Sequence, residues 1–132
     1  MSEAAPLNER SEKALVGVKP ELIKVARRAH ELCAEVGLDF IVTEGLRTEA
    51  RQRQLVAAGA SMTMNSRHLT GDAFDFVPVV SGQISWKWPA FMPIVAKIEQ
   101  AAIELGVEIE CGARWRKFPD GPHVQLKRKK AA

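Results

Sequence analysis

Two short polar motifs, far apart in the chain, constrain the fold more than anything else in it. The first is Ser66-Arg67-His68-Leu69-Thr70-Gly71-Asp72-Ala73-Phe74-Asp75, and the second is Asp120-Gly121-Pro122-His123. Two histidines and one carboxylate are the ligand set of an open catalytic zinc site, in which water keeps the fourth position. A second carboxylate, Asp120, stands three residues before the last histidine, where it can handle that water's proton. If both motifs serve one site, the fold must bring them together.

Their local patterns fit that demand. Ala73-Phe74-Asp75-Phe76-Val77 is a short apolar run bounded by Gly71 and Pro78, which reads as a strand. Side chains alternate across a strand, so Phe74 and Phe76 share one face and Asp75 points to the other. A carboxylate beside an apolar core needs a cation or several donors. Thr70 and Gly71 favour a turn between His68 and that strand. Spacing alone leaves two readings open: a paired His68–Asp75 metal site, or a lone histidine and a solvent-facing aspartate. Further along, Pro122 fixes the backbone before His123-Val124-Gln125-Leu126, which alternates as a strand. His123 and Gln125 fall on its polar face, although a surface histidine after a loop fits the same pattern. His30 follows Arg27 and Arg28 on a helix and reads as solvated surface.

Ser-x-His-x-x-Gly-x-Ala-x-Asp followed by Asp-x-x-His resembles the zinc peptidases of the M15 family. These include D-alanyl-D-alanine carboxypeptidases and dipeptidases, and the L-alanyl-D-glutamate endopeptidases of bacteriophage endolysins. Thr43-Glu44-Gly45-Leu46-Arg47-Thr48 with Gln52 resembles that family as well, so the likeness spans roughly Pro20 to Leu126. It implies one zinc ion (Zn2+) held by His68, Asp75 and His123, with Asp120 as the catalytic acid/base. It also places Arg47, Gln52 and Ser66 near the substrate, Arg47 being suited to a bidentate contact with a peptide carboxylate. The carboxypeptidases and dipeptidases commonly carry Glu-x-Trp-His, whereas Asp120-Gly121-Pro122-His123 looks like the endolysin type. The resemblance therefore implies cleavage of the L-alanyl-D-glutamate bond in peptidoglycan stem peptides. D,D- or L,D-carboxypeptidase action is the alternative within the family. A wall-binding module without turnover is the alternative outside it, and an intact Asp120 beside an open ligand set argues against that reading.

The remaining pattern suits an α+β domain. Pro20 to Val36 reads as a helix with the apolar stripe Leu22, Val25, Ala29, Leu32, Val36, ended by Gly37. Phe40-Ile41-Val42-Thr43 reads as a strand within Asp39 to Glu44, and Thr48 caps a helix through about Ala58. Ala60 to Asn65 reads as a loop. The stretch after Val80 reads as a variable surface connection, Pro89 to Leu105 as a long helix ended by Gly106, and Val107 to Glu110 as a strand. Helices and strands do not alternate regularly enough for a doubly wound sheet. The resemblance implies a small antiparallel sheet with helices packed on one face, a Hedgehog/D-Ala-D-Ala-peptidase-like zinc domain.

At 132 residues and 46% hydrophobic content the chain suffices for a single catalytic domain, with a core over about 20–126. No segment is apolar and long enough to cross a membrane, and Met1-Ser2-Glu3-Ala4-Ala5-Pro6 does not read as a signal peptide. The family resemblance then implies a host-cytoplasmic enzyme, a monomer, that needs another protein such as a holin to reach the wall. Net charge is +3, and Lys127-Arg128-Lys129-Lys130 makes a basic tail over 127–132. A solvated end or attraction to anionic envelope polymers accounts for it better than nucleic acid does. Cys33 and Cys111 read as free, buried thiols. Trp86 and Trp88 read as a packing staple at a helix start, and Trp115 as a residue of the cleft wall.

Overall fold

The computed structural model describes residues 7–61 and 63–128. In chain order these form α1 (Glu9–Ala14), α2 (Pro20–Glu35), β1 (Asp39–Glu44), α3 (Glu49–Ala57), β2 (Ala73–Val80), β3 (Gln83–Ile84), α4 (Trp88–Leu105), β4 (Ile109–Cys111) and β5 (His123–Leu126). Two 3-10 turns, Arg67–Thr70 and Gly112–Arg114, complete the regular structure. All strand pairs are antiparallel, in the order β1-β2-β5-β4, with β3 paired to β2 as a short hairpin.

Alternation along the strands decides which face meets the helices. Phe40, Val42, Phe74, Phe76 and Val124 are fully buried, and so are Leu22, Val25, Ala26 and Ala29 of α2 and Val95, Ile98 and Ala101 of α4. Each large apolar side chain contributes roughly 1.5–3 kcal/mol by leaving water. Ring contacts run through this layer, edge-on for Phe40–Phe76 and tilted for Phe76–Phe91, with centroids 5.5 Å apart in both. Asp75 and His123 lie on the other face, as the period of two requires.

Several boundaries depart from the sequence reading. β2 continues through Pro78 to Val80. Proline has no N–H to donate, but β5 pairs β2 only over Ala73–Asp75, so no β5 neighbour is left short at that position. Trp86 stands two residues before the first turn of α4 proper and meets Phe91 with centroids 6.3 Å apart, the staple geometry. His30 is half-buried rather than solvated. Its Nε2 lies 2.9 Å from Asp39 Oδ1, and its ring packs edge-on against Phe40.

The helix α1 had no counterpart in the sequence reading. Asn8 caps it by accepting from the Ser11 N–H at 2.8 Å. The buried Ser11 hydroxyl in turn accepts the Val42 N–H at 2.9 Å, so α1 covers the free edge of β1. The chain after α1 then packs backbone to backbone against two glycines: a Cβ on Gly45 would fall within 3.0 Å of Ala14, and one on Gly71 within 3.0 Å of Gly17. Cys33 and Cys111 are free and buried, and burial pushes their thiols up to about 11 and about 12. Among the described residues no helix is long and apolar enough to cross a membrane. Residues 1–6 and 129–132, with the N-terminal reading and most of the basic tail, lie outside the described residues.

Candidate active site

Antiparallel register brings the two motifs together. Asp75 of β2 is the direct cross-strand partner of His123 on β5. His68 arrives from the 3-10 turn, which Ser66 caps by accepting the His68 N–H at 3.2 Å, and Gly71 in the left-handed region (φ 73) turns the chain into β2. His68 Nε2 and His123 Nδ1 stand 3.2 and 3.3 Å from the same oxygen, Asp75 Oδ1. All three donor atoms lie within 4.8 Å of one another. A tetrahedral site with bonds of about 2.0–2.1 Å has ligand–ligand edges of about 3.3 Å, which the two imidazole–carboxylate distances match.

Hydrogen bonding on the outer side of each ring supports the same conclusion. His68 Nδ1 donates to the Gly45 carbonyl at 2.8 Å, which leaves the Nε2 lone pair facing Asp75. Gln125 Nε2 donates to the Glu110 carboxylate at 3.1 Å, so Gln125 must present Oε1 to His123 Nε2, 2.9 Å away. His123 Nε2 therefore carries the hydrogen, and its Nδ1 lone pair also faces Asp75. Three lone-pair donors converging on one point repel unless a cation sits among them. His68 and His123 are 2% and 8% exposed, so water alone does not relieve them. Without an ion the repulsion is relieved by protons on the imidazole nitrogens facing Asp75: burial resists ionisation of that carboxyl, yet the bonds that His123 and His68 then donate outweigh it and hold its pKa well below the usual carboxylate range. Burial likewise resists charging of His123, and the bond to Asp75 raises its pKa nonetheless.

A cleft of about 630 Å³ opens over this cluster, walled by Glu44, Arg47, Ser66, Trp115 and Asp120 among others. Asp120 is exposed to it. Partial desolvation by the walls, followed by the nearby Asp75 charge, pushes its pKa above the ordinary aspartate value. Its position comes from the backbone: the Asp120 N–H donates to the Gly112 carbonyl at 2.9 Å, and the His123 N–H to the Asp120 carbonyl at 3.3 Å. Gly112 is required there, because a Cβ would fall within 3.0 Å of the Asp120 carbonyl oxygen. Trp115 packs on the His123 ring with centroids 5.4 Å apart.

Arg47 lines the cleft, and Gln52 is buried behind it. The Arg47 fork is already bonded to Glu44, through Nε at 2.7 Å and Nη2 at 2.8 Å, and its Nη1 donates to Gln52 Oε1 at 2.7 Å. Its Nε/Nη2 edge is therefore taken by Glu44. Nη2 stands 3.9 Å from Asp75 Oδ2, so the guanidinium brings fixed positive charge to the site. Gln52 is fully buried and does not line the cleft; it holds Arg47 and donates to the Ser61 hydroxyl at 2.8 Å. Ser66 lines the cleft and also reaches Arg47 Nη1 at 3.5 Å. Glu44, Glu110 and Gln125 were missed. Gln125 shares the polar face of β5 with His123, which was the available signal. Glu44 reaches the cleft because the ladder shifts register between Val42 and Glu44, setting Glu44 opposite Asp75.

This fold and site suit a hydrolase whose His68–Asp75–His123 group could hold a metal ion, and comparison with known proteins narrows the class. Residues 4–130 match the family model described as phage L-alanyl-D-glutamate peptidase, and the chain belongs to that family. It is 44% identical over 131 residues to the L-alanyl-D-glutamate peptidase of Escherichia phage T5, covering 88% of this chain and 93% of that protein. It is 32% identical over 104 residues to the L-alanyl-D-glutamate peptidase of Listeria phage A118, covering 76% of this chain and 35% of that longer protein. The crystal structure of the Serratia marcescens L-Ala D-Glu endopeptidase ChiX superposes with a TM-score of 0.85 at 43% identity, covering 95% and 92% of the two chains.

Proposed function

We infer that this protein is a zinc-dependent endopeptidase of the M15 type that hydrolyses the L-alanyl-D-glutamate bond of peptidoglycan stem peptides. Its family membership supports the bond, and the convergence of three buried lone-pair donors on one point supports the metal. His68 Nε2, His123 Nδ1 and Asp75 Oδ1 hold the ion. Bound zinc supplies a Lewis acid that acidifies water and polarises a carbonyl. Asp120 takes the proton of the attacking water and passes it to the departing D-glutamate amine, work that suits a carboxyl whose pKa is raised. Arg47, locked by Glu44 and Gln52, holds positive charge beside the oxygen that becomes negative. Trp115 orients the His123 ring and walls off one side of the cleft.

The test is digestion of purified muropeptides by zinc-loaded protein, read by mass spectrometry beside a chelated control. Release of a stem peptide beginning at D-glutamate, abolished by chelation and restored by zinc, is expected. Loss of only a terminal D-alanine would replace this reading with carboxypeptidase action.

A further inference from the structure

Four carboxylates line the cleft, and each has an assignment: Asp75 to the metal site, Asp120 to proton transfer, Glu44 to Arg47, and Glu110 to Gln125. Its arginines are less evenly matched. Arg47 spends its fork on Glu44, whereas Arg67 and Arg128 line the same cleft without an equivalent partner. Among the described residues the Arg67 guanidinium makes one direct hydrogen bond, from Nη2 to the Leu126 carbonyl at 3.1 Å. Its Nε is buried with no acceptor. The Asp72 carboxylate is 3.9 Å from Nη2, and it already accepts the Thr70 hydroxyl. Arg128 is exposed at the end of the cleft, with no bonded partner among the described residues. A guanidinium held through one terminal nitrogen yet left short of acceptors costs free energy that an incoming anion recovers.

We propose that Arg67, assisted by Arg128, binds a carboxylate on the D-glutamate side of the scissile bond. This rests on the endopeptidase reading above and assigns the substrate-anion contact to a different arginine from the one the sequence suggested. Alanine brings only a methyl group, so the stem peptide's carboxylates all lie on the D-glutamate side. Two sources supply the same chemistry: the free carboxylate of D-glutamate itself, or one on the residue that follows. Arg67 points to the second. Its guanidinium meets Leu126, three residues along β5 from the ligand His123, which is ~10 Å at strand spacing. A carboxylate attached next to the scissile nitrogen falls short of that reach.

The experiment is a double-mutant cycle between enzyme and substrate. Zinc-loaded wild type, Arg67→Gln and Arg128→Gln are assayed on a soluble muropeptide with both carboxylates free, and on two derivatives, each with one carboxylate converted to the amide. Zinc content and thermal melting are recorded for every variant. For wild type, amidation at the following residue is expected to lower kcat/KM by roughly tenfold to a hundredfold, the worth of a charge-assisted hydrogen bond. Arg67→Gln should lose the same factor on the free acid and nothing further on that amide. Arg128→Gln, at an exposed position, should show a smaller loss of the same kind. Equal rates of wild type on all three substrates would overturn the proposal without reference to any variant, as would an Arg67→Gln enzyme that still discriminates. If the D-glutamate amide alone is discriminated against and Arg67→Gln abolishes that discrimination, Arg67 is still the anchor and the carboxylate is the nearer one. Failure of wild type to cut the alanyl–glutamate bond in any substrate would instead sink the endopeptidase reading itself.

Discussion

The two walls of the cleft are built differently. The metal-binding wall takes His123 and Asp75 from a paired position of an antiparallel ladder, and His68 from a capped turn whose ring is tied to the Gly45 carbonyl. Every donor on it has a fixed neighbour. The facing wall carries Asp120 on irregular chain, with its carboxylate exposed and its backbone fixed through Gly112 and His123. On the function proposed above, metal affinity rests on regular structure, while proton transfer rests on a loop with little packing of its own. Such a division predicts that the two properties can be broken separately.

The largest effects should fall on opposite walls with opposite signatures. His68→Ala and His123→Ala should lose both zinc and activity, because a carboxylate and one imidazole cannot complete the site. Asp120→Asn should retain zinc at full stoichiometry yet lose about 10²–10⁴-fold in turnover, the usual worth of positioned acid–base catalysis. Metal analysis beside muropeptide turnover separates the two. A fully active Asp120→Asn enzyme would remove Asp120 from the mechanism and with it the contrast between the walls.

Two smaller changes probe each wall's support. Gly112→Ala should displace the Asp120 backbone by a few tenths of an ångström or more, and so lower kcat by about 10–100-fold with zinc content unchanged. In the Asp120→Asn background it should add nothing; an additive loss would show that Gly112 acts elsewhere. Gln125→Leu removes the acceptor that sets the His123 tautomer, and should weaken metal affinity about 10–100-fold in a chelator competition. Gln125→Glu keeps an acceptor facing His123 and should recover part of that loss, which a purely structural role would not explain.

How far the sequence disclosed all this depended on the same division. Local signals made His68, Asp75 and His123 candidates (Gly71 for the turn, Phe74 and Phe76 for the face, Pro122 for the strand start), but spacing left surface readings open, and the family resemblance alone joined them as one ligand set. The α+β class came from the irregular order of helices and strands, and the layering from the family resemblance; the alternation that buries Phe74 and Val124 agrees with both. Arg47 was located, but the capture of its fork by Glu44 depends on a register shift at the end of β1, which no periodicity reports. Gln52 was named for the cleft, yet it is buried beneath it, because a polar residue on a short helix carries no signal of which side it faces. The helix α1 was missed for a related reason. Its six residues are mostly polar, and its main buried contact is a serine hydroxyl on a strand edge.

That short helix gives the smallest and most conditional prediction, and it concerns the metal-binding wall. The segment following α1 packs on Gly45 and Gly71, which flank His68 in space, so anchoring α1 braces the side of the site that His68 occupies. Glu12 supplies the anchor: its carboxylate takes Arg27 Nη2 at 2.6 Å and Nε at 3.2 Å, and the Leu7 N–H at 3.0 Å. The hydrogen bond from Arg27 is the leading cause of a Glu12 pKa below its ordinary value. A carboxyl with a depressed folded pKa stabilises the protein above its unfolded pKa, and loses that contribution as pH falls through the folded value. Glu12→Gln should therefore cost about 0.5–1 kcal/mol near neutral pH, the partly exposed geometry keeping it small. That corresponds to a melting point lower by roughly 2–4 °C. Melting both proteins metal-free, so that zinc release does not intrude, should show the two curves converging as the pH drops below about 4.5, the unperturbed glutamate value. A gap that persisted in acid would mean that Glu12 acts through packing rather than charge, and that the brace behind His68 does not depend on the ion pair.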